Sequence, residues 1–181
     1  LDSGAGHADL TGEYAAITDE LKAVSRHFGK EVLREVPEAD FLRELPALRK
    51  EAGDRGVLRA FHFYAENQRA ADEAQALRDG YFDRFLELVR ASGRSSAQYL
   101  QNVVPTGQTE HQELMVTIAL SARILAGRGA VRVHGGGFGG TAQAFVPLDL
   151  LEEFKTRTEE VLGAGSCHVL SIRPVGGTRI A

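Results

Sequence analysis

The 181-residue chain holds a single cysteine, Cys167, so no internal disulfide can form. That composition fits a reducing, cytoplasmic setting. No run approaches the ~18 consecutive apolar residues that suggest a membrane span. No charged-then-apolar signal segment opens the chain. A basic excess is missing too: 21 Lys and Arg residues stand against 25 Asp and Glu residues, for a formal net charge of -4. The two signs are interspersed, whereas a nucleic-acid surface needs a basic patch or stripe. There is no internal repeat and no low-complexity tract. His7, His62, His111 and His168 lack ligand-like spacing, so no metal site is expected. The chain opens on Leu1 rather than on methionine, as a fragment or a trimmed chain would.

What remains is ordinary globular material, 43% hydrophobic and 25% charged, enough for one compact domain. The first two thirds carry helical periodicity. Ile17, Leu21, Val24 and Phe28 lie on one helical face, with Gly29 as a stop. Phe41, Leu45 and Leu48 repeat that spacing across Pro46, which must break or restart the helix because it has no amide donor. A long helix is expected from about Asp54 to Arg78, then a turn at Asp79-Gly80. A second apolar stripe comes next, Phe82, Phe85, Leu86 and Val89, ending near Gly93. So short a turn predicts an antiparallel helix pair. Ser92 to Gln108 reads as a polar loop, and Leu114, Ile118, Ala122 and Leu125 as another helix.

The pattern changes after Gly127. Ala130–His134 and Thr141–Val146 read as strands around a glycine-rich run. Leu148, Leu151, Phe154 and Leu162 support a helix stopped by Gly163. His168–Ile172 and Thr178–Ile180 read as two further strands about a Gly176-Gly177 turn. Helices first and strands later predict an α+β domain.

Five glycines in six residues, Gly135-Gly136-Gly137-Phe138-Gly139-Gly140, are the most specific feature. The dinucleotide-binding reading needs a helix directly after the glycines, yet residues 141–146 alternate like a strand and meet Pro147. The P-loop reading needs Lys-Ser or Lys-Thr after the last glycine, where Thr141-Ala142 stands. The companion motifs of a protein-kinase glycine loop are absent. A plain hairpin turn needs only one or two glycines. Five imply that either another loop or a phosphate approaches the backbone closely, and exposed amides there could cradle an anion.

Arg132-Val133-His134 through Thr141 closely resembles the third conserved motif of the GHMP kinases, in the form carried by galactokinases. Three more stretches are similar to that family, in the same order. They are Asp2-Ser3-Gly4 with His7 through Glu13-Tyr14, Gly29 through Val36, and Leu58 through Asn67. The resemblance implies the C-terminal domain of such an enzyme, with a ferredoxin-like antiparallel sheet of about four strands packed with several helices. Residues 1–30 would join it to an N-terminal lobe, and residues 31–181 would form the domain itself.

By the same resemblance, ATP and Mg²⁺ would be bound mainly by that N-terminal lobe, which would also hold the catalytic residues. None of the catalytic residues would lie in this chain, and alone it should be silent. Gly135, Gly136, Gly137, Phe138, Gly139 and Gly140 would support the nucleotide phosphates. A side chain at Gly137 would enter the phosphate-side gap and harm turnover more than folding. Tyr14 would line the galactose pocket, or else serve as a half-buried aromatic at a helix start. His134 is read as a strand-end residue rather than a phosphate ligand. Cys167 is read as a small buried side chain, and Arg94-Ser95-Ser96 as a solvated helix end. Thr141, His134 and Gly93–Val104 depart from the common galactokinase pattern and leave the sugar open. The implied partners are the N-terminal lobe, galactose and ATP, in a monomer. The alternatives are a GHMP kinase for another hexose or an amino sugar, and a non-catalytic sensor of sugar and nucleotide.

Overall fold

In the computed structural model, residues 1–6 and 10–172 are described. The chain forms α1 (Thr11–His27), α2 (Glu38–Arg43), α3 (Leu45–Glu51), α4 (Gly53–Arg78), α5 (Phe82–Ser95), α6 (Glu113–Leu125), β1 (Ala130–Val133), β2 (Ala142–Phe145) and α7 (Leu151–Leu162). α1 ends where expected, with Gly29 at φ +65° reversing the chain. α2 and α3 are divided just before Pro46, which sits in the first turn of α3, where its missing amide is no loss.

Three apolar clusters hold these elements. The first joins α1, α2, α3 and α4 around Val24, Phe41 and Leu48, each fully buried. Phe41 packs edge-on to Phe61, with ring centres 5.0 Å apart. Truncating such a phenylalanine to alanine costs about 3–5 kcal/mol. The second lies between α6, α7 and the sheet, and includes Leu114, Leu125, Val131, Val133 and Phe154. The third joins α4 and α5 to the sheet through Ala76, Phe85, Val89 and Ala130.

β1 and β2 are antiparallel, with Ala130 opposite Phe145 and Val133 opposite Ala142. Side chains alternate along β1, so Val131 and Val133 join the α6 cluster while Ala130 joins that of α5. Beyond β2, Leu1 and Ala142 exchange both backbone hydrogen bonds, at 2.9 and 3.0 Å. Asp2 then bridges Thr141, and its amide donates to the Ser166 carbonyl (2.8 Å). This is an α+β arrangement with a small antiparallel sheet. No described helix is long and apolar enough to cross a membrane.

Three expectations are corrected. Gly93 does not stop α5, because a Cβ there would lie 3.0 Å from Arg132 Cβ and 3.2 Å from the Val131 carbonyl oxygen. Its role is to bring helix and strand together. The expected loop from Ser92 is helical as far as Leu100, closing in a π-helical turn over Ser96–Leu100. Buried serines hold it there: the Ser92 hydroxyl donates to Glu66, and Ser95 Oγ lies 2.9 Å from His62 Nδ1. Finally, His168–Ile172 has no strand pairing in the described structure. Leu170 and Ile172 stand 87% and 84% exposed, and the segment has no sheet neighbour among the described residues. Thr178–Ile180 and the Gly176-Gly177 turn lie outside the described residues, as does His7.

Candidate functional site

The glycine run links β1 to β2 as a looped excursion whose shape is set from beneath. Gly135, Gly137, Phe138 and Gly140 all have positive φ, at +65°, +84°, +48° and +81°. Only glycine takes such angles without strain, so Phe138 needs compensation. It has it: its ring is buried and lies edge-on to Tyr14, with centres 5.5 Å apart. Its amide also donates to the Asn102 carbonyl (2.7 Å).

Other groups approach the backbone so closely that no side chain fits. A Cβ on Gly136 would lie 2.9 Å from Tyr14 Cε1. One on Gly137 would lie 2.1 Å from the Asn102 carbonyl oxygen, and one on Gly140 3.0 Å from Ala5 Cβ. The close neighbours that the glycine count implies are therefore Tyr14, Asn102 and the Ser3–Ala5 segment. This corrects the expectation for Gly137, whose side chain would drive into the protein rather than into an open gap. His134, Gly135 and Gly136 form the exposed rim, and a Cβ on Gly135 would meet nothing within 4 Å.

Tyr14 reaches the loop because α1 begins at Thr11 and carries it on its first turn. Its hydroxyl donates to the Gly137 carbonyl (2.6 Å), and 39% of the residue remains exposed. Asn102 reaches the loop by a longer chain of contacts. Arg59 of α4 is fully buried and donates through Nε to the Leu100 carbonyl (3.0 Å) and through Nη1 to Glu20 of α1 (2.9 Å). Burial is the chief cause that lowers the Arg59 guanidinium from its ordinary value, while Glu20 pulls it back up. Gln101, at φ +56°, then turns the chain so that Asn102 points under the glycines, where its Nδ2 donates to the Gly136 carbonyl (3.1 Å). Nearby, Glu13 accepts from the Thr106 amide (2.7 Å) and hydroxyl (3.1 Å), tying α1 to the same segment.

The structure thus brings together Tyr14 and the loop Gly135–Gly140, which the sequence nominated 121 or more positions apart. Beside them opens a cleft of about 490 Å³, lined by Glu13, Thr106, Gln112, Glu113 and Phe138 among others. Sequence reasoning missed Asn102, Glu20 and Arg59. The left-handed turn at Gln101 has no glycine to announce it. Arg94 is exposed as expected, but Ser95 and Ser96 are buried, against the solvated reading. Cys167 is half-buried beside the α6 cluster. Among the described residues, no group of three or more His, Cys, Asp and Glu side chains could hold a metal ion.

No family model matches the chain. Galactokinase of Mannheimia succiniciproducens is 32% identical over 158 residues, covering 86% of this chain and 38% of that enzyme. Galactokinase of Actinobacillus succinogenes is 30% identical over 155 residues, covering 84% of this chain and 37% of the enzyme. The crystal structure of Lactococcus lactis galactokinase complexed with galactose superimposes with a TM-score of 0.67 at 26% identity, over 90% of this chain and 41% of that one. This chain is homologous to part of a galactokinase. It spans about two fifths of the length of the galactokinases it matches, and the match fits their C-terminal part.

Proposed function

We propose that this chain is the C-terminal part of a galactokinase, working in a longer polypeptide that transfers the γ-phosphoryl group of ATP to the anomeric hydroxyl of galactose. The observation that carries this reading is the homology to galactokinases along nearly the whole chain, at about two fifths of their length. The loop geometry supports it. Gly135–Gly140 would lie beside the nucleotide phosphates, with the exposed residues Gly135 and Gly136 on the side that faces them. Phosphoryl transfer is mostly positioning and charge stabilisation, so a fixed row of backbone dipoles suits it. Tyr14 would meet the sugar. Its proton is committed to Gly137, and its oxygen lone pairs remain to accept from a sugar hydroxyl.

ATP and Mg²⁺ would be held mainly by the N-terminal lobe, where the cation would offset phosphate charge. This chain alone would then be inactive. Residues 1–30 would lead from that lobe, anchored here by Leu1 in the sheet and Val24 in the core. The sheet would reach about four strands in the complete fold, consistent with the backbone pairing of Leu1, Asp2 and Ser166 beyond β2. The whole would be a cytoplasmic monomer.

The test is ADP release by the longer protein with MgATP and galactose, N-acetylgalactosamine, glucose or no sugar. Turnover selective for galactose is expected. Turnover on another sugar alone would move the substrate and keep the kinase. Silence with every sugar, in a folded protein that binds ATP, would replace the enzyme with a sensor.

A further inference from the structure

Asn102 holds two successive peptide units of the glycine loop. Its side-chain Nδ2 donates to the Gly136 carbonyl, and its backbone carbonyl accepts from the Phe138 amide. The Gly137–Phe138 peptide is thereby gripped from both sides, since Tyr14 takes its carbonyl and Asn102 its amide. In a trans peptide, N–H and C=O point in opposite directions. With the Gly136 carbonyl turned toward Asn102, the Gly137 N–H must face away from it. That amide has no partner among the described residues. Asn102 is 2% exposed, and its Oδ1 is buried without a partner. An unpartnered buried acceptor costs about 1–3 kcal/mol, and valine or leucine in its place would avoid that cost. Neither could hold the Gly136 carbonyl inward.

We infer that Asn102 is a positioning residue for phosphoryl transfer: it orients the Gly136–Gly137 peptide so that its amide faces the nucleotide side. The inference rests on the kinase reading above. Asn102 itself touches neither substrate. It acts through the loop, and Arg59 and Glu20 fix it through Leu100. Its loss should therefore affect the nucleotide and leave the sugar alone.

The experiment compares Asn102→Ala and Asn102→Asp with the wild-type longer protein. The readouts are kcat, KM for MgATP and KM for galactose, with amide hydrogen exchange over residues 134–141. Asn102→Ala should raise KM for MgATP or lower kcat about fivefold to tenfold, with KM for galactose unchanged. Exchange at Phe138 should quicken. Asn102→Asp is nearly isosteric, but as a carboxylate it cannot donate to the Gly136 carbonyl. It should be as impaired at pH 8 and recover toward pH 6, where a buried acid regains its proton. A merely structural asparagine would lower Tm and impair the response to MgATP and galactose alike. Equal loss toward both substrates, or no rescue, overturns the inference. If the wild-type protein phosphorylates no sugar, the kinase reading fails by itself. Exchange at Phe138 then decides separately whether Asn102 holds the loop, and unchanged exchange in Asn102→Ala overturns that as well.

Discussion

A Cβ placed on Gly137 would lie 2.1 Å from the Asn102 carbonyl oxygen and 2.5 Å from its Nδ2, at a φ of +84°. Both the angle and the contact forbid a side chain, and Asn102 is itself buried, with Leu100 two residues before it tied to Arg59. Gly135 has the same hand of φ, +65°, but open space where its side chain would be. The two positions therefore separate strain from collision. Gly137→Val should cost about 3 kcal/mol or more, because it combines left-handed strain with overpacking. Gly135→Ala should cost about 1–2 kcal/mol, from strain alone. Urea denaturation of the two variants checks this. Equal losses would mean that the loop moves off Asn102 freely, and the clamp would be no clamp. The glycines themselves were legible in the sequence, as was the need for a close neighbour. Which neighbour was not, because Asn102 owes its place to a buried arginine 43 positions earlier.

The same limit recurs for whole elements. Where apolar spacing alone decided, as in α1, α4, α6 and β1, the sequence located the element to within a few residues. Gly93 misled because glycine marks both a helix end and a close helix–strand contact, and the partner at Arg132 is 39 residues away. Ser92 to Ser96 misled because serine is a weak helix former, yet here it is held by polar partners from α4. Those partners belong to a charged cluster on the α4 side of the sheet. Glu66 accepts from Ser92, Arg69 and Arg132. Glu73 shares their field, with Oε1 buried and unpartnered. Burial, then the charge of Glu66, raises its carboxyl above the ordinary value, while Arg132 and Arg69 pull the other way. A carboxyl raised in the fold binds its proton more tightly there than in the unfolded chain. Stability from it is full below the unfolded value near pH 4.3 and is lost as pH rises through the folded value. Glu73→Gln removes that loss. Its Tm should exceed the wild-type Tm at pH 7 to 8, and the two should converge as pH falls to 4. A constant gap across that range would show that Glu73 is as easily ionised in the fold as out of it.

At the scale of the molecule, the chain is folded but one-sided. Its loop rim of His134, Gly135 and Gly136 opens to solvent, and the segment 168–172, which pairs with no described strand, forms an apolar edge of the molecule with Val169, Leu170 and Ile172, 60%, 87% and 84% exposed. Leu148, 89% exposed, lies along the same side and with Leu170 helps line a shallow cleft over Phe154. Adjoining apolar side chains of this size are unusual on a free domain and mark a surface that another element covers. The proposed longer polypeptide would supply it. Expressed alone, these 181 residues should instead cover the edge with another copy. Sedimentation equilibrium at tens of micromolar should show reversible self-association that persists in high salt, as apolar contact does. Leu170→Lys with Ile172→Lys should return the chain to a monomer without lowering its Tm, since neither side chain is buried. A wild-type chain that sediments as a monomer throughout would mean that this edge is covered from within. The one-sided picture would then give way to a self-sufficient domain.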